Sequence, residues 1–421
     1  MYCYKLKKPD MLNLSLSPTN SQTNPQPIHL PDIQIQKTPL NKAGYAELLS
    51  IDLEYTYKIN RTKDKLDNYN SGVWENAKKL TNPYEYVYIY NSGNSRYHDS
   101  QSIANVKPLS RSFFKMIEMF YEFCPEFASV EKYPSLITAH IAEGPGGFIE
   151  AVRHIRNQNT VSPNDDKTFG MTLTRNEKAK NVPGWKQSRD FLAKHPEVHI
   201  LNGADGTGDI YNIDNINYMR DAIGPQLANL ITGDGGFDFS VDYNHQEQMS
   251  SKLIYAQILC ALKCQAPGGT FICKIFDMNL FITTQMLYLL QCFYETVIIY
   301  KPHTSRIANS EKYVICRNFK GISYEVLDKL SKLLVDWNMM NNTNTNVPET
   351  INYFFKVIPE PFISYIKMIN REIIDSQIKS INRVIEIIKN RYPDLYWKEQ
   401  NYKNQIAKAR EWCRKYKIPY N

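Results

Sequence analysis

Three charged residues sit where apolar runs of this chain break off or begin. Asp234 follows LANLIT in ITGDGGF, Lys274 comes late in GGTFICKIF, and Glu311 stands at the head of KYVIC in KPHTSRIANSEKYVIC. A lysine after an apolar β run is costly unless its charge is paired. Each residue alone is equally explained by a structural ion pair. Together, on successive strand ends, they describe a lysine oriented by carboxylates, an arrangement suited to holding or accepting the proton of a weakly acidic group.

A glycine-rich turn accompanies them. Glu143-Gly144-Pro145-Gly146-Gly147-Phe148 passes from an apolar run straight into a helical pattern. Glycines let a ligand approach the backbone, and the following helix N-terminus offers free N–H groups. The spacing matches neither the dinucleotide nor the P-loop pattern, which disfavours NAD and ATP. Two further segments bring polar groups to the same edge: Thr172 in GMTLTRN, and Asp205 and Asp209 in NGADGTGDI. An acidic side chain there would accept from an amine or a hydroxyl. Asp205 and Asp209 are explained equally well as turn formers.

Holding these residues in one place requires strands alternating with helices. SLITAHIAE, KTFGMTL, VHIL, LANLIT, GGTFICKIF, ETVIIYK and KYVICRNF read as strands. RSFFKMIEMFYEF, GFIEAVRHIR, PGWKQSRDFLAKH, QEQMSSKLIYAQILCALKCQA and LFITTQMLYLLQCF read as helices. The alternation predicts an α/β fold, a doubly wound sheet with helices on both faces, whose ligands bind beyond the carboxyl ends of the strands.

The flanks differ in texture. Residues 1–43 include an Asn-, Pro-, Ser- and Gln-rich stretch and read as a flexible leader. Residues 44–105 form an extension of unassigned role, in which WENAKKLTNPYEYVYI reads as helix then strand. Residues 106–320 hold the α/β pattern, and 321–421 read as helical throughout. Ile374, Ile378, Ile381, Ile385 and Ile388 trace one apolar stripe on a helix over about 362–391. The basic stretch from Lys403 to Lys417 reads as a solvated helix face, with a partner- or RNA-contacting face as the lesser reading.

At 43% hydrophobic residues and a formal charge of +7, the 421-residue chain has enough apolar content for a sizeable core and a mildly basic balance. No apolar run approaches the ~18 residues of a membrane span, and the first residues lack a secretory pattern. None of the eight cysteines forms a CxxC pair, so no zinc site or other metal centre is expected. Free thiols in a reducing compartment are expected, and an intracellular, cytoplasmic protein without membrane contact.

The pieces EGPGGF, DGTGDI, GDGGF, GGTFICKIF and KPHTSRIANSEKYVIC resemble the FtsJ-like RNA ribose 2′-O-methyltransferases over about residues 110–320. More narrowly they are similar to viral and cellular mRNA cap 2′-O-methyltransferases, with a composition similar to those of large cytoplasmic DNA viruses. The resemblance implies a Rossmann-like sheet that binds S-adenosylmethionine through Glu143–Phe148, Thr172, Asp205, Asp209 and Asp234. It implies a catalytic tetrad of Lys115, Asp234, Lys274 and Glu311, with Lys107 competing for the first position. It places Lys301, Ser305, Arg306 and Asn309 along the RNA groove. It makes capped mRNA the expected substrate and other capping or transcription proteins candidate partners. Ribosomal or transfer RNA as substrate, and an inactive RNA-binding subunit, are the alternatives. In the implied mechanism Lys274 assists deprotonation of the ribose hydroxyl. Lys115 and the donor's sulfonium would lower its pKa while Asp234 and Glu311 raise it; the sequence leaves the net sign open.

Overall fold

The computed structural model describes residues 2–6, 33–39, 49–89, 102–158, 165–174, 183–236, 244–340, 349–390 and 395–421. Its strands, in chain order, are β1 (Cys3–Lys5), β2 (Ile33–Pro39), β3 (Ile137–Ile141), β4 (Lys167–Met171), β5 (Val198–Leu201), β6 (Ala228–Gly233), β7 (Gln265–Ile275), β8 (Tyr294–Tyr300), β9 (Lys312–Phe319) and β10 (Glu349–Phe355). Eight of them make one sheet in the order β1-β8-β9-β7-β6-β3-β4-β5. From β5 to β7 every pairing is parallel. β9 runs antiparallel between β7 and β8, and β1 lies antiparallel on the outer side of β8.

The strands are apolar on both faces because both faces are covered. One face packs Ile254, Ile258 and Leu262 of the helix Gln246–Cys264 together with Met286 and Leu290 of Phe281–Phe293. The other packs Phe113, Phe114, Ile117 and Phe120 of Ser112–Phe123 against Phe148 and Val152 of Gly147–Gln158. The predicted α/β architecture is therefore the observed one. The helix Ile213–Ile223 was not legible, because its buried Ile216, Met219 and Ile223 are diluted by Asn and Asp. Asn212 caps it, accepting a hydrogen bond from the Asp214 amide, and Gly224 ends it with φ +84°.

Three expectations for the flanks need correction. The segment read as a flexible leader carries β1, which completes the main sheet, and β2; residues 7–32 lie outside the described residues. The strand expected after the helix Ser71–Thr81 is a 3-10 turn, Glu85–Val87. The region after 321 is not wholly helical: β10 pairs antiparallel with β2, some 300 residues earlier. A local pattern cannot announce a partner that distant. The expected isoleucine-striped helix runs from Glu360 to Lys389, and its Ile374, Ile381 and Ile385 bury against Ile59, Trp74 and Ala77 of the extension. Ala308, on the loop before β9, joins that small core. Among the described residues no helix is long and apolar enough to cross a membrane.

Candidate active site

The chain reverses its order across the sheet between β3, which continues to β4, and β6, which continues to β7. The loops leaving β3 and β6 diverge there and open a crevice. A cavity of about 1000 Å³ occupies it, lined by Ala142–Pro145, Thr172, Gly208–Tyr211, Asp234–Gly236 and Lys274, and on its far side by Arg306 and Ala308–Glu311.

Register brings the charged residues together. β7 and β9 pair Lys274 with Tyr313, so Glu311, two residues earlier, lies beyond the end of β7. Asp234 follows β6, the other neighbour of β7. Lys274 Nζ stands 3.2 Å from Asp234 Oδ1 and donates to the Asp234 carbonyl at 2.7 Å. Glu311 pairs with Lys115 at 2.7 Å and accepts from Ser305 Oγ at 3.0 Å. It is Lys115, one turn into its helix, that makes this pair rather than Lys107. The four side chains are 13–19% exposed, enough for a substrate to reach them.

Their charges settle what the sequence left open. Burial pushes Lys274 down, but Asp234 and Glu311 outweigh it and hold the ammonium above its ordinary pKa. Burial pushes Glu311 up, and Lys115 and Lys274 reverse that, drawing it down to about 2. Both groups are ionised at neutral pH.

Other expected site residues divide. Asp209 and Thr172 line the cavity, and the Asp209 carboxylate also accepts from the Tyr211 amide at 2.9 Å. Asp205 does not line it. Its carboxylate is engaged by Thr207, Asn212 and Asn215, so it builds the turn. In the glycine-rich loop, Gly144 and Pro145 face the cavity, whereas Gly146 and Gly147 do not and Phe148 is buried against Tyr313. The Glu143 side chain is only 1% exposed; it accepts from Thr232 Oγ1 and lies 3.4 Å from His140 Nδ1. Its carboxylate therefore supports the loop from below, and burial raises its pKa.

The RNA-groove residues also sort by burial. Lys301 is 2% exposed and donates to the carbonyls of Asn309 and Glu311 at 2.7 and 2.6 Å, so it does not border a groove. Ser305 is turned to Glu311. Arg306 and Asn309 line the cavity, Arg306 bound by Glu85 and Glu75 and Asn309 accepting from Lys78 Nζ.

Several participants were missed. Tyr313 donates to Asp234 Oδ1 at 3.0 Å, and Gln257 accepts from the Gly235 amide at 3.0 Å. A glutamine inside the apolar run LIYAQILCAL is the available signal for the second. Lys63, Trp74 and Lys78 of the extension and Gln377 and Ile381 of the long helix wall the cavity beyond the tetrad. Nothing local in those segments marks them.

The residues present fit S-adenosylmethionine. Gly144 and Gly208 let the loops that wall the cavity pack backbone against backbone: a Cβ on Gly144 would fall 2.8 Å from the Gly184 carbonyl oxygen, and one on Gly208 2.1 Å from that of Thr172. Asp209 supplies an acceptor to the cavity, and the Asp234–Lys274 pair also lines it. Among the described residues no cluster suited to a metal is present.

The chain is similar to known proteins. The chain is 28% identical over 356 residues to cap-specific mRNA (nucleoside-2′-O-)-methyltransferase 1 of Homo sapiens, covering 80% of this chain and 39% of that protein. It is 30% identical over 254 residues to the protein of the same name from Trypanosoma cruzi (strain CL Brener), covering 60% of this chain and 66% of that one. The chain thus spans well under half of the human relative. The model of the FtsJ-like methyltransferases matches residues 108–319, just over half of the 421, and takes in the glycine-rich loop and all four tetrad positions. The chain belongs to the FtsJ-like methyltransferase family.

Proposed function

We propose that this protein transfers a methyl group from S-adenosylmethionine to the 2′-hydroxyl of a ribose at the 5′ end of capped mRNA. The observation that carries the reading is the juxtaposition of Lys274, held by Asp234, with Glu311 on the lining of the cavity, Glu311 being paired in turn with Lys115. The similarity, at 28–30% identity, to cap-specific mRNA methyltransferases supports the choice of substrate. When bound, S-adenosylmethionine supplies a methyl group made electrophilic by its sulfonium.

The chain's own residues then do two things. Asp234 and Glu311 orient Lys274, whose amine, once it has lost one proton to solvent, accepts the proton of the 2′-hydroxyl as that oxygen takes the methyl group. Because the carboxylates hold Lys274 charged, it takes up that proton itself only after losing one of its own, and activity rises with pH. Arg306 and Asn309, which line the cavity, are the residues assigned in this reading to phosphate and ribose, Arg306 in exchange for its contacts with Glu85 and Glu75.

Methyl transfer from labelled S-adenosylmethionine to capped and uncapped RNA, followed by nuclease mapping, tests this. Label confined to a ribose beside the cap is the expected result. Equal labelling of uncapped, ribosomal or transfer RNA would replace the substrate, and no labelling of any RNA would sink the reading.

A further inference from the structure

The loop from Lys301 to Glu311 joins β8 to β9 and carries Glu311 into the cavity. At its end three successive carbonyls, of Asn309, Ser310 and Glu311, turn inward, where each needs a donor. Two buried lysines satisfy them. Lys301 Nζ donates to Asn309 and Glu311 at 2.7 and 2.6 Å. Lys312 Nζ donates to Ser310 at 2.8 Å and also to the Phe276 carbonyl beyond β7.

Lys301 stands at the neck of this loop, one residue after β8, with its own amide donating to the carbonyl of Tyr2, just before β1. Its ammonium spans the neck and reaches the residue whose carboxylate meets Lys115. Charged groups face it from every side: Lys115 on the helix Ser112–Phe123, Glu311, Lys312 on β9, and Asp277 just after β7. Burial, with Lys312 and Lys115, outweighs the carboxylates and lowers Lys301 to about 7. Charged or neutral, its nitrogen still donates to both carbonyls, a polar tie where apolar packing would serve stability as well.

We propose that Lys301 is a positioning residue for methyl transfer: by tying the carbonyls of Asn309 and Glu311 it fixes the Glu311 carboxylate against Lys115 and beside Lys274. The inference rests on the proposed function. Its physical content is a lever. The Glu311 carboxylate sits at the end of a flexible side chain, so a small rotation of its backbone moves it by an amount that matters to alignment. Lys301 touches neither cavity nor substrate, and acts only through Glu311.

The test replaces Lys301 with Met, of similar length but without a donor, and with Gln, neutral but still an N–H donor. The readouts are kcat, KM for capped RNA, and Kd for S-adenosylhomocysteine. For Lys301→Met, kcat falls by about tenfold or more, while KM and Kd stay within about twofold. Lys301→Gln keeps more of kcat than Lys301→Met, because one carbonyl retains a partner. If Lys301→Met does not fold, Lys301→Gln against the native protein carries the same comparison. Unchanged kcat overturns the proposal, as does a parallel loss of kcat, RNA binding and S-adenosylhomocysteine binding, which marks a purely structural clasp. A native protein that methylates no RNA would instead overturn the proposed function.

Discussion

Glu311→Gln isolates the electrostatics of the site. In the folded protein the Glu311 carboxyl is drawn from its ordinary 4.5 to about 2, burial opposing and Lys115 and Lys274 prevailing. At about 1.36 kcal/mol per unit, that shift corresponds to about 3 kcal/mol favouring the ionised, folded state. The side chain is 19% exposed, so solvent screening removes little of this. Removing one partner of a buried pair costs about 3–5 kcal/mol in general, the same range. The sign follows from linkage. The folded value lies below the unfolded one, so the stabilisation is complete above the unfolded value and is lost as pH falls through about 2. Urea unfolding at pH 7 is expected to show Glu311→Gln less stable by about 3 kcal/mol. The gap should narrow steadily once the pH drops below the ordinary carboxylate range. A deficit under about 1 kcal/mol at pH 7, or one that does not shrink in acid, would refute the picture of Glu311 as an ion held by two lysines.

Three further outcomes are expected. Lys274→Met lowers methyl transfer by at least about a hundredfold while calorimetric affinity for S-adenosylhomocysteine holds; an active variant removes Lys274 from the chemistry. Gly208→Ala weakens S-adenosylhomocysteine binding by about tenfold or more, because its Cβ would fall 2.1 Å from the Thr172 carbonyl oxygen and displace the cavity wall. Unaltered affinity would show that this wall does not hold the donor. Asp166→Ala strips the shared partner from buried Arg153 and Arg156, which it meets at 2.7 and 2.6 Å. Thermal or urea denaturation should register a loss of about 3–5 kcal/mol, and a melting temperature equal to the native one would count against it.

Much of this was legible because the decisive signals are local. The strands from β3 to β9 announce themselves by apolar runs, and Asp234, Lys274 and Glu311 interrupt or bound those runs. Lys115 was legible only through the family motif, since on its helix it is one polar residue among apolar neighbours. What escaped is of two physical kinds. Direction of a side chain escaped for Lys301 and Glu143, whose types suit ligand contact but whose surroundings turn them into a clasp and a buried support; for Asp205 the sequence left ligand contact and turn equally open, and its surroundings make it a turn. Partnership across the chain escaped for β10 and for the cavity wall of Lys63, Trp74, Gln377 and Ile381. No periodicity in either segment encodes the other.

The small core that joins the two flanks also dictates when the protein can finish folding. Trp74 buries against a helix whose Ile374 lies 300 positions further along the chain. At ribosomal rates of about 5–20 residues per second, that separation amounts to about 15–60 seconds. Throughout that interval the apolar side of Ser71–Thr81 has been made and its covering has not. The newborn extension is thus an aggregation and proteolysis hazard until the last third of the chain emerges. Only then is the outer wall of the cavity built, so the crevice between β3 and β6 exists before the chamber that completes it.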